Sequence, residues 1–121
     1  EIIIGFHRSY KSLQREIQNC CEINNLKFNE LLVLLEIKKK FVKKTDIANK
    51  IYLKKQNLNL IIKELLKKKI IRIDGKKILI TNSGNDILEK TVNRVNEKVI
   101  KKFKTTDPKN MAGFINIIES L

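Results

Sequence analysis

The sequence predicts a mainly α-helical fold with one small β-hairpin (α+β), and three observations support this fold class. The 121 residues include only four glycines and one proline, which favours helices over an all-β fold. Apolar residues recur every three or four positions along most of the chain, as on one face of a helix. Between residues 71 and 80, isoleucines instead recur at every second position on both sides of Asp74-Gly75, a dipeptide typical of tight hairpin turns.

Length and composition limit the class of protein. A chain of this length is expected to form one domain, here residues 1–121. With 42% hydrophobic and 32% charged residues it has the balance of a soluble globular protein, and no apolar run reaches the roughly 18 residues of a membrane span. Its two cysteines, Cys20 and Cys21, are adjacent and cannot form a disulfide framework. We therefore expect a cytoplasmic protein that does not bind a membrane.

The N-terminal segment predicts a long helix with a narrow apolar stripe at heptad spacing. The helix is expected to end at Asn24-Asn25. Such a stripe can pack on the core of its own chain or against a second subunit, and we expect both. The stripe consists of Ile3, Phe6, Tyr10, Leu13, Ile17 and Cys20.

The next helix is predicted to be central and buried, because leucines cover most of its circumference. Asn29 is its expected N-cap. Lys38-Lys39-Lys40 closes it, where positive charge interacts favourably with the helix dipole. Phe41-Val42 is then predicted to form a short bridging strand.

Residues 45–81 predict two short helices followed by the hairpin. Thr45 is the expected cap of the first helix, which has Ile47, Ala48 and Ile51 on one face. The second helix covers about residues 55–69. The residues expected on its inward face are Leu58, Ile61, Ile62 and Leu65. This is the plan of a winged helix-turn-helix, in which the second helix enters the major groove of DNA and the hairpin, here residues 70–81, lies beside it as the wing.

The chain beyond the hairpin predicts two further helices. Ser83 with Asp86 resembles a capping box that opens a long helix, and Asp107-Pro108 is expected to start a last one. The apolar stripes at both chain ends exceed what one small core can cover, so we predict a homodimer. The residues assigned to the dimer interface are Ile3, Phe6, Tyr10, Leu13, Ile17, Val95, Val99, Phe103, Phe114 and Ile118.

Positive charge is concentrated on the predicted helix-turn-helix and wing. Between residues 38 and 77 there are fifteen Lys or Arg and three acidic residues, a net charge of +12. The remaining residues hold eleven basic and ten acidic residues, so almost all of the net charge of +13 lies in this third of the chain. Because the charge and the fold signal coincide, we predict that the partner is double-stranded DNA.

Two kinds of contact are assigned to this surface. Exposed amides near the start of the second helix suit bidentate contacts to adenine, and a leucine there suits a thymine methyl group. Lysines and an arginine around them suit phosphate contacts, which carry no base identity. An alternative for Asn57 is that it only caps the helix. The assigned DNA-binding residues are Lys54, Lys55, Gln56, Asn57, Asn59, Leu60, Lys63, Arg72, Lys76 and Lys77.

Catalysis and cofactor binding are not expected. The sequence has no Ser/His/Asp grouping, phosphate-binding loop or paired carboxylates, so we assign no catalytic residue. His7 is the only histidine and has no ligand partner at metal spacing, so no metal or other cofactor is assigned. Cys20 and Cys21 suggest an oxidant sensor, but a buried structural thiol is the alternative that we favour.

Four segments follow in the order of a known family. Residues 26–35 resemble its second helix, and Asp46-Ile47-Ala48 resembles the start of its third. Residues 61–71 are similar to the end of its recognition helix running into the wing. Residues 80–84, Ile-Thr-Asn-Ser-Gly, are similar to the Leu-Thr-x-x-Gly turn that opens its fifth helix. With these segments in this order, the sequence resembles the MarR/SarA group of bacterial transcription regulators, and the resemblance extends over nearly the whole chain.

The resemblance implies a dimer whose terminal helices, residues 1–23 and 85–121, intertwine, with residues 26–83 as the winged-helix DNA-binding unit. Two departures from the family pattern concern the wing. The family usually carries an Asp-x-Arg motif in a longer loop, whereas here Asp74-Gly75 is predicted to form a two-residue type I′ turn followed by Lys76-Lys77. Lys69 also replaces the glycine that commonly lies between the recognition helix and the first strand.

The function predicted from the sequence is that of a homodimeric, sequence-specific, DNA-binding transcriptional regulator that is not an enzyme. A small-molecule effector would fit such a regulator, but the sequence does not identify one. One alternative is a nonspecific architectural DNA-binding protein, which the short lysine-rich wing favours. The other is a protein-interaction adaptor that kept the winged-helix fold and lost operator binding.

Overall fold

The structure is a computed structural model that describes residues 1–39 and 43–104. For residues 102–104 it describes the backbone alone. The described elements are α1 (Ile2–Ile23), α2 (Phe28–Lys38), α3 (Lys44–Lys50), α4 (Lys55–Lys67), β1 (Ile71–Asp74), β2 (Lys77–Ile80) and α5 (Asn82–Lys104). The predicted mainly helical fold with one hairpin is confirmed. The strand predicted at Phe41-Val42 and the last helix predicted after Asp107-Pro108 lie outside the described residues.

The core forms around α2, as predicted. Leu31, Val33, Leu34 and Ile37 of this helix are buried. The inward face of α4 packs on them, with Leu58, Ile62 and Leu65 buried and Ile61 partly buried. The core is completed by Leu26, Ile47, Ala48, Ile70, Ile71, Ile78 and Leu88. The helix-turn-helix therefore rests on a helix whose apolar surface it covers, which is what holds α4 in place.

The ends of α1 and α5 are joined by a polar contact at the edge of this core. The Asn24 side-chain amide donates to the Thr91 hydroxyl at 3.0 Å, and that hydroxyl donates to the Ile87 carbonyl at 2.7 Å. Thr91 is fully buried, and its hydroxyl is satisfied both as an acceptor and as a donor. As predicted, α1 ends at Ile23, immediately before Asn24-Asn25.

Three predicted helix caps are wrong. Helix α2 begins at Phe28, and its N-cap is Lys27, two residues before the predicted Asn29. Lys27 takes this position because the Glu30 carboxylate accepts its backbone N–H at 2.8 Å. Helix α3 begins at Lys44 with Lys43 as N-cap, which places Thr45 inside the first turn.

At α5 the cap is Thr81 instead of Ser83. The Thr81 hydroxyl accepts the Gly84 N–H at 3.0 Å and itself donates to the Lys69 carbonyl at 2.7 Å. A β-carbon added at Gly84 would lie 2.1 Å from the Ile70 carbonyl oxygen. Both features of the Ile-Thr-x-x-Gly turn are therefore explained: the threonine caps α5, and the glycine lets α5 approach the backbone that leaves α4.

The hairpin turn is shifted by one residue from its predicted position. Strand pairing joins Ile71 to Ile80 and Asp74 to Lys77, so the two loop residues are Gly75 and Lys76 instead of Asp74 and Gly75. Gly75 has φ +61° while Lys76 does not have positive φ, which is the pattern of a type II′ turn and not of type I′. Pairing Ile71 with Ile80 and Ile73 with Ile78 places all four isoleucines on one face, where Ile71 and Ile78 are buried and Ile80 is partly buried.

Candidate nucleic-acid interface

Helix α4 presents a polar outer face opposite its buried one. The residues on this outer face recur at helical spacing: Gln56, Leu60, Lys63 and Lys67. Asn57 and Asn59 flank this row, and all of these side chains are exposed. Leu60 is 62% exposed although Leu58, two residues away, is fully buried. An apolar side chain in the middle of an outward polar row is not used by the core and is available to a ligand.

The N-terminal end of α4 lacks a side-chain cap among the described residues. Lys54 is the N-cap residue, and its side chain makes no capping hydrogen bond. The first-turn N–H groups of an α-helix have no acceptor within the helix, and they carry the positive end of the helix dipole. With Lys54 and Lys55 exposed beside them, this end of α4 is suited to phosphate oxygens. The alternative role of Asn57 as a cap is wrong, because Asn57 lies within the helix.

The C-terminal end of α4 is held by several bonds. Helix α4 ends at Lys67, two residues before the predicted boundary. The Ile70 N–H donates to the Leu65 carbonyl at 3.0 Å and the Lys69 N–H to the Leu66 carbonyl at 3.0 Å, which is a Schellman motif. Lys69 occupies its left-handed position with φ +60°. Glycine adopts this conformation without strain. Lys69 therefore has the left-handed backbone conformation that a glycine would provide at this position.

A buried ion pair adds to this anchoring. Glu30 of α2 is 1% exposed and accepts bonds from the Lys68 ammonium at 2.9 and 3.2 Å. Lys68 also donates to the Asn25 carbonyl at 2.8 Å. The pair connects the end of α4 with the α1–α2 turn and with the start of α2. Lys68 is therefore neutralised within the protein and does not add to the surface charge.

The wing places its charges on one face and at its tip. Because Arg72 pairs with Leu79 and Asp74 with Lys77, Arg72 and Lys77 project from the same face of the hairpin, opposite the isoleucines. Lys76 lies in the turn and not in the strand. The predicted Asp74-Gly75 turn would have placed Lys76 in the second strand, on the same face as Ile78, but the observed register excludes that turn position.

All ten residues assigned to DNA binding are exposed. Their six basic members make no ion pair with any part of the chain that the structure describes. These are Lys54, Lys55, Lys63, Arg72, Lys76 and Lys77. By contrast, Lys39 and Lys50 approach the Glu36 carboxylate at 3.4 and 3.7 Å. Basic side chains without an ion pair are therefore present along α4 and the wing.

The residues assigned to the dimer interface differ in burial. Ile3 is 76% exposed and Tyr10 48% exposed, whereas Phe6, Leu13, Val95 and Val99 are partly buried. Ile17 packs against the core of its own chain. The side chain of Phe103 and all of Phe114 and Ile118 lie outside what the structure describes. Isoleucines at positions 2 and 4, which were not assigned, are 82% and 50% exposed beside Ile3.

The two cysteines are inert in this structure. Both are free and buried. Burial, followed by the negative charges of Cys20, Glu22 and Glu30, raises the pKa of the Cys21 thiol to about 11. A thiol is oxidised through its thiolate, so a raised pKa and burial both oppose a sensing role. No three His, Cys, Asp or Glu side chains within residues 1–39 and 43–104 are arranged to hold a metal ion.

An open groove of about 410 Å³ lies between α1, the start of α2 and α4. Glu30 and Lys27 line it, together with Ile61 of α4. Gln18 also lines it, and its side-chain carbonyl accepts the Phe28 N–H at 2.8 Å. No helix of the described residues has an apolar segment that could cross a membrane.

Sequence reasoning missed two features of this surface. The Glu30–Lys68 pair was not expected, because the residues are 38 positions apart and lysines are abundant nearby. Tyr52, 95% exposed in the turn between α3 and α4, was not assigned a role. Its signal in the sequence is an aromatic residue two positions before Lys54-Lys55, where a helix-turn-helix turn is expected to be polar.

Comparison with known proteins gives matches in structure only. No family model matches the sequence, and no curated protein is similar to it in sequence. The DNA complex of the MarR family protein Rv2887 from Mycobacterium tuberculosis has a TM-score of 0.81 and 12% identity, over 99% of this chain and 96% of that one. The transcriptional repressor CouR has a TM-score of 0.84 and 13% identity, over 96% of this chain and 88% of that one.

The oxidized form of MarR from E. coli has a TM-score of 0.80 and 13% identity, over 99% of this chain and 93% of that one. Identities this low relate these proteins by fold. The exposed outer face of α4 and the hairpin beside it are the elements that define a winged helix. The chain therefore has the winged-helix fold of the MarR family transcriptional regulators.

Proposed function

We propose that this protein is a MarR-type transcriptional regulator that binds double-stranded DNA as a homodimer, with α4 in the major groove and the wing on the backbone. The single observation that supports this most strongly is the outer face of α4, which carries exposed amides and a leucine while the basic side chains around it are unpaired. The related fold of Rv2887, solved in complex with DNA, supports the same docking.

In this proposal the outer face of α4 divides into two functions. Gln56, Asn57 and Asn59 read adenines through their amides, and Leu60 contacts a thymine methyl group. The six unpaired basic residues defined above contact phosphates and set position and affinity. The wing is short, so its charges reach phosphates at the edge of the groove.

Dimerisation is proposed from the exposed isoleucines of α1. Ile2 and Ile3 are more than three-quarters exposed, and Ile4 is half exposed, in the first turn of the helix. Three consecutive apolar residues point in different directions around a helix, so a partner that covers them must surround this turn. A second copy with intertwined terminal helices does so. Sedimentation is expected to show a dimer at micromolar concentration, and Leu13→Glu is expected to weaken it.

A small effector is part of the proposal. CouR has been solved bound to p-coumaroyl-CoA, and Rv2887 with salicylic acid. In this chain the groove of about 410 Å³ beside Glu30 has the volume of a small-molecule site and lies against α4. A molecule bound there is expected to change DNA affinity through the position of α4.

Selection of bound fragments from a random duplex pool tests the function. A regulator is expected to enrich one palindromic site, and its affinity for that site should fall steeply with salt. Enrichment of no sequence despite steep salt dependence favours the architectural alternative, which the lysine at the wing tip also suits. Absence of duplex binding leaves the protein-interaction adaptor as the function.

Two substitutions separate the two kinds of contact. Lys55→Ala should weaken all duplexes alike and reduce the salt slope by about one unit. Asn59→Ala should cost about 1–3 kcal/mol on the selected site and much less on random DNA. Equal losses on both kinds of DNA would contradict base reading by α4.

A further inference from the structure

Tyr52 combines two properties that folding does not explain. Its side chain is 95% exposed, and its backbone is left-handed, with φ +56°. It lies in the Schellman motif that ends α3, where the Leu53 N–H donates to the Ala48 carbonyl at 2.9 Å. The left-handed conformation places the β-carbon of any residue other than glycine in a crowded position.

Two other helices, α1 and α4, also end in a residue with a left-handed backbone, and these residues provide a comparison for Tyr52. Asn25 has φ +57° and Lys69 has φ +60°. Asparagine tolerates this conformation, and the exposed Lys69 carries a charged side chain that water solvates. A tyrosine is neither tolerant of the conformation nor, at this exposure, packed against the core. Its hydroxyl has no hydrogen-bond partner within residues 1–39 and 43–104.

The surroundings of Tyr52 indicate which partner it faces. Lys54 and Lys55 follow it after Leu53 and are exposed, as are Lys43 and Lys44 at the start of the same helix-turn-helix. Tyr52 precedes the uncapped, positively polarised end of α4 by three residues. A basic surface of this kind is complementary to a polyanion and repels a basic protein segment.

We propose that Tyr52 is a DNA-backbone contact residue at the outer edge of the reading surface. Its hydroxyl donates a hydrogen bond to a phosphate oxygen, and its ring packs on the adjoining deoxyribose. Tyrosine is among the side chains that make such contacts. The proposal rests on the proposed function, because it places α4 in the major groove. Since tyrosine is neutral, the contact adds affinity without releasing a counterion.

Tyr52→Gly provides a test in which stability and binding move in opposite directions. Glycine relieves the left-handed strain, so the Tm should rise by roughly 2–5 °C. Duplex affinity should nevertheless fall by about tenfold or more, with the salt slope unchanged. Tyr52→Phe keeps the ring and removes the hydroxyl, so it should lose about two- to tenfold in affinity while its Tm stays near that of the wild type.

Asn25→Gly is the matched control, because it changes a left-handed position remote from α4's outer face and should leave duplex affinity unchanged. Wild-type affinity in Tyr52→Gly would overturn the proposal and assign the ring to a protein partner. A lower Tm in Tyr52→Gly, or a salt slope reduced as in Lys54→Ala, would also overturn it. If the wild-type protein itself binds no duplex, the proposed function fails together with this contact.

Discussion

The two ends of α4 are held in opposite ways. At its C-terminal end a Schellman motif, the Glu30–Lys68 ion pair and the strand that follows tie the helix to the rest of the chain. At its N-terminal end no side chain of the described residues caps the helix, and Lys54, Lys55 and Gln56 are exposed. The difference teaches that the anchored end fixes the position of the helix, so that the other end can keep its polar groups free for a ligand.

The largest expected effect is a loss of stability on substitution of Gly84, which lies against the backbone that follows the C-terminal end of α4. Gly84→Ala places a β-carbon 2.1 Å from the Ile70 carbonyl oxygen, which belongs to the backbone and cannot swing away. We expect the free energy of unfolding to fall by about 3 kcal/mol, as for severe overpacking. Urea denaturation at fixed protein concentration measures it.

The matched control for Gly84 is Gly5→Ala, because a β-carbon added at Gly5 meets no atom within 4 Å. Replacing a helical glycine there should leave stability unchanged or raise it slightly. If Gly84→Ala is as stable as Gly5→Ala, the close approach of α5 to the chain after α4 is not required.

The next effect removes the ion pair. Lys68→Met leaves the Glu30 carboxylate, 1% exposed, with the Lys27 N–H as its one remaining hydrogen-bond donor among the described residues. We expect a loss of about 2–4 kcal/mol in the free energy of unfolding, because a buried charge loses its partner. Adding Glu30→Gln should recover part of this loss. Lys67→Met, at an exposed neighbouring position, is the control and should change stability by less than about 0.5 kcal/mol.

A smaller effect is expected on DNA binding, from a substitution on the exposed outer face of α4 that leaves folding unchanged. Leu60→Ala should cost about 1 kcal/mol in binding to the selected site, from the lost apolar contact with a thymine methyl group. Because Leu60 is 62% exposed, the free energy of unfolding should hardly change. On a site in which deoxyuridine replaces thymidine, wild type and Leu60→Ala should bind alike. A difference that persists on that site would show that Leu60 acts in another way.

The smallest expected effect is a gain in stability at the C-terminal end of α4. Lys69→Gly removes the strain of a left-handed lysine at φ +60° and should raise the free energy of unfolding by about 0.5–1 kcal/mol. Asn25→Gly should give a smaller gain, since asparagine tolerates that conformation better. A loss of stability in Lys69→Gly would mean that the lysine side chain contributes more than its backbone strain costs.

Much of the fold was readable from the sequence because it depends on local periodicity. The inward residues of α4, the buried α2 and the isoleucine faces of the hairpin follow from which positions share one side of a helix or strand. The exposed set on α4 follows from the same periodicity, since it is the complement of the buried face. The net charge of +12 between residues 38 and 77 is likewise a property of sequence alone.

Tertiary structure alone decided the features that depend on contacts between residues far apart in the sequence. The cap of α5 is Thr81 because its hydroxyl also bonds to the Lys69 carbonyl, 12 residues away, a partner that a local cap motif does not include. The wing turn lies at Gly75-Lys76 because Ile73 pairs across the hairpin with Ile78, whereas an Asp74-Gly75 turn would have paired it with Lys76. Lys68 left the surface charge only because folding brought it to Glu30, a partner 38 residues away that local spacing could not reveal.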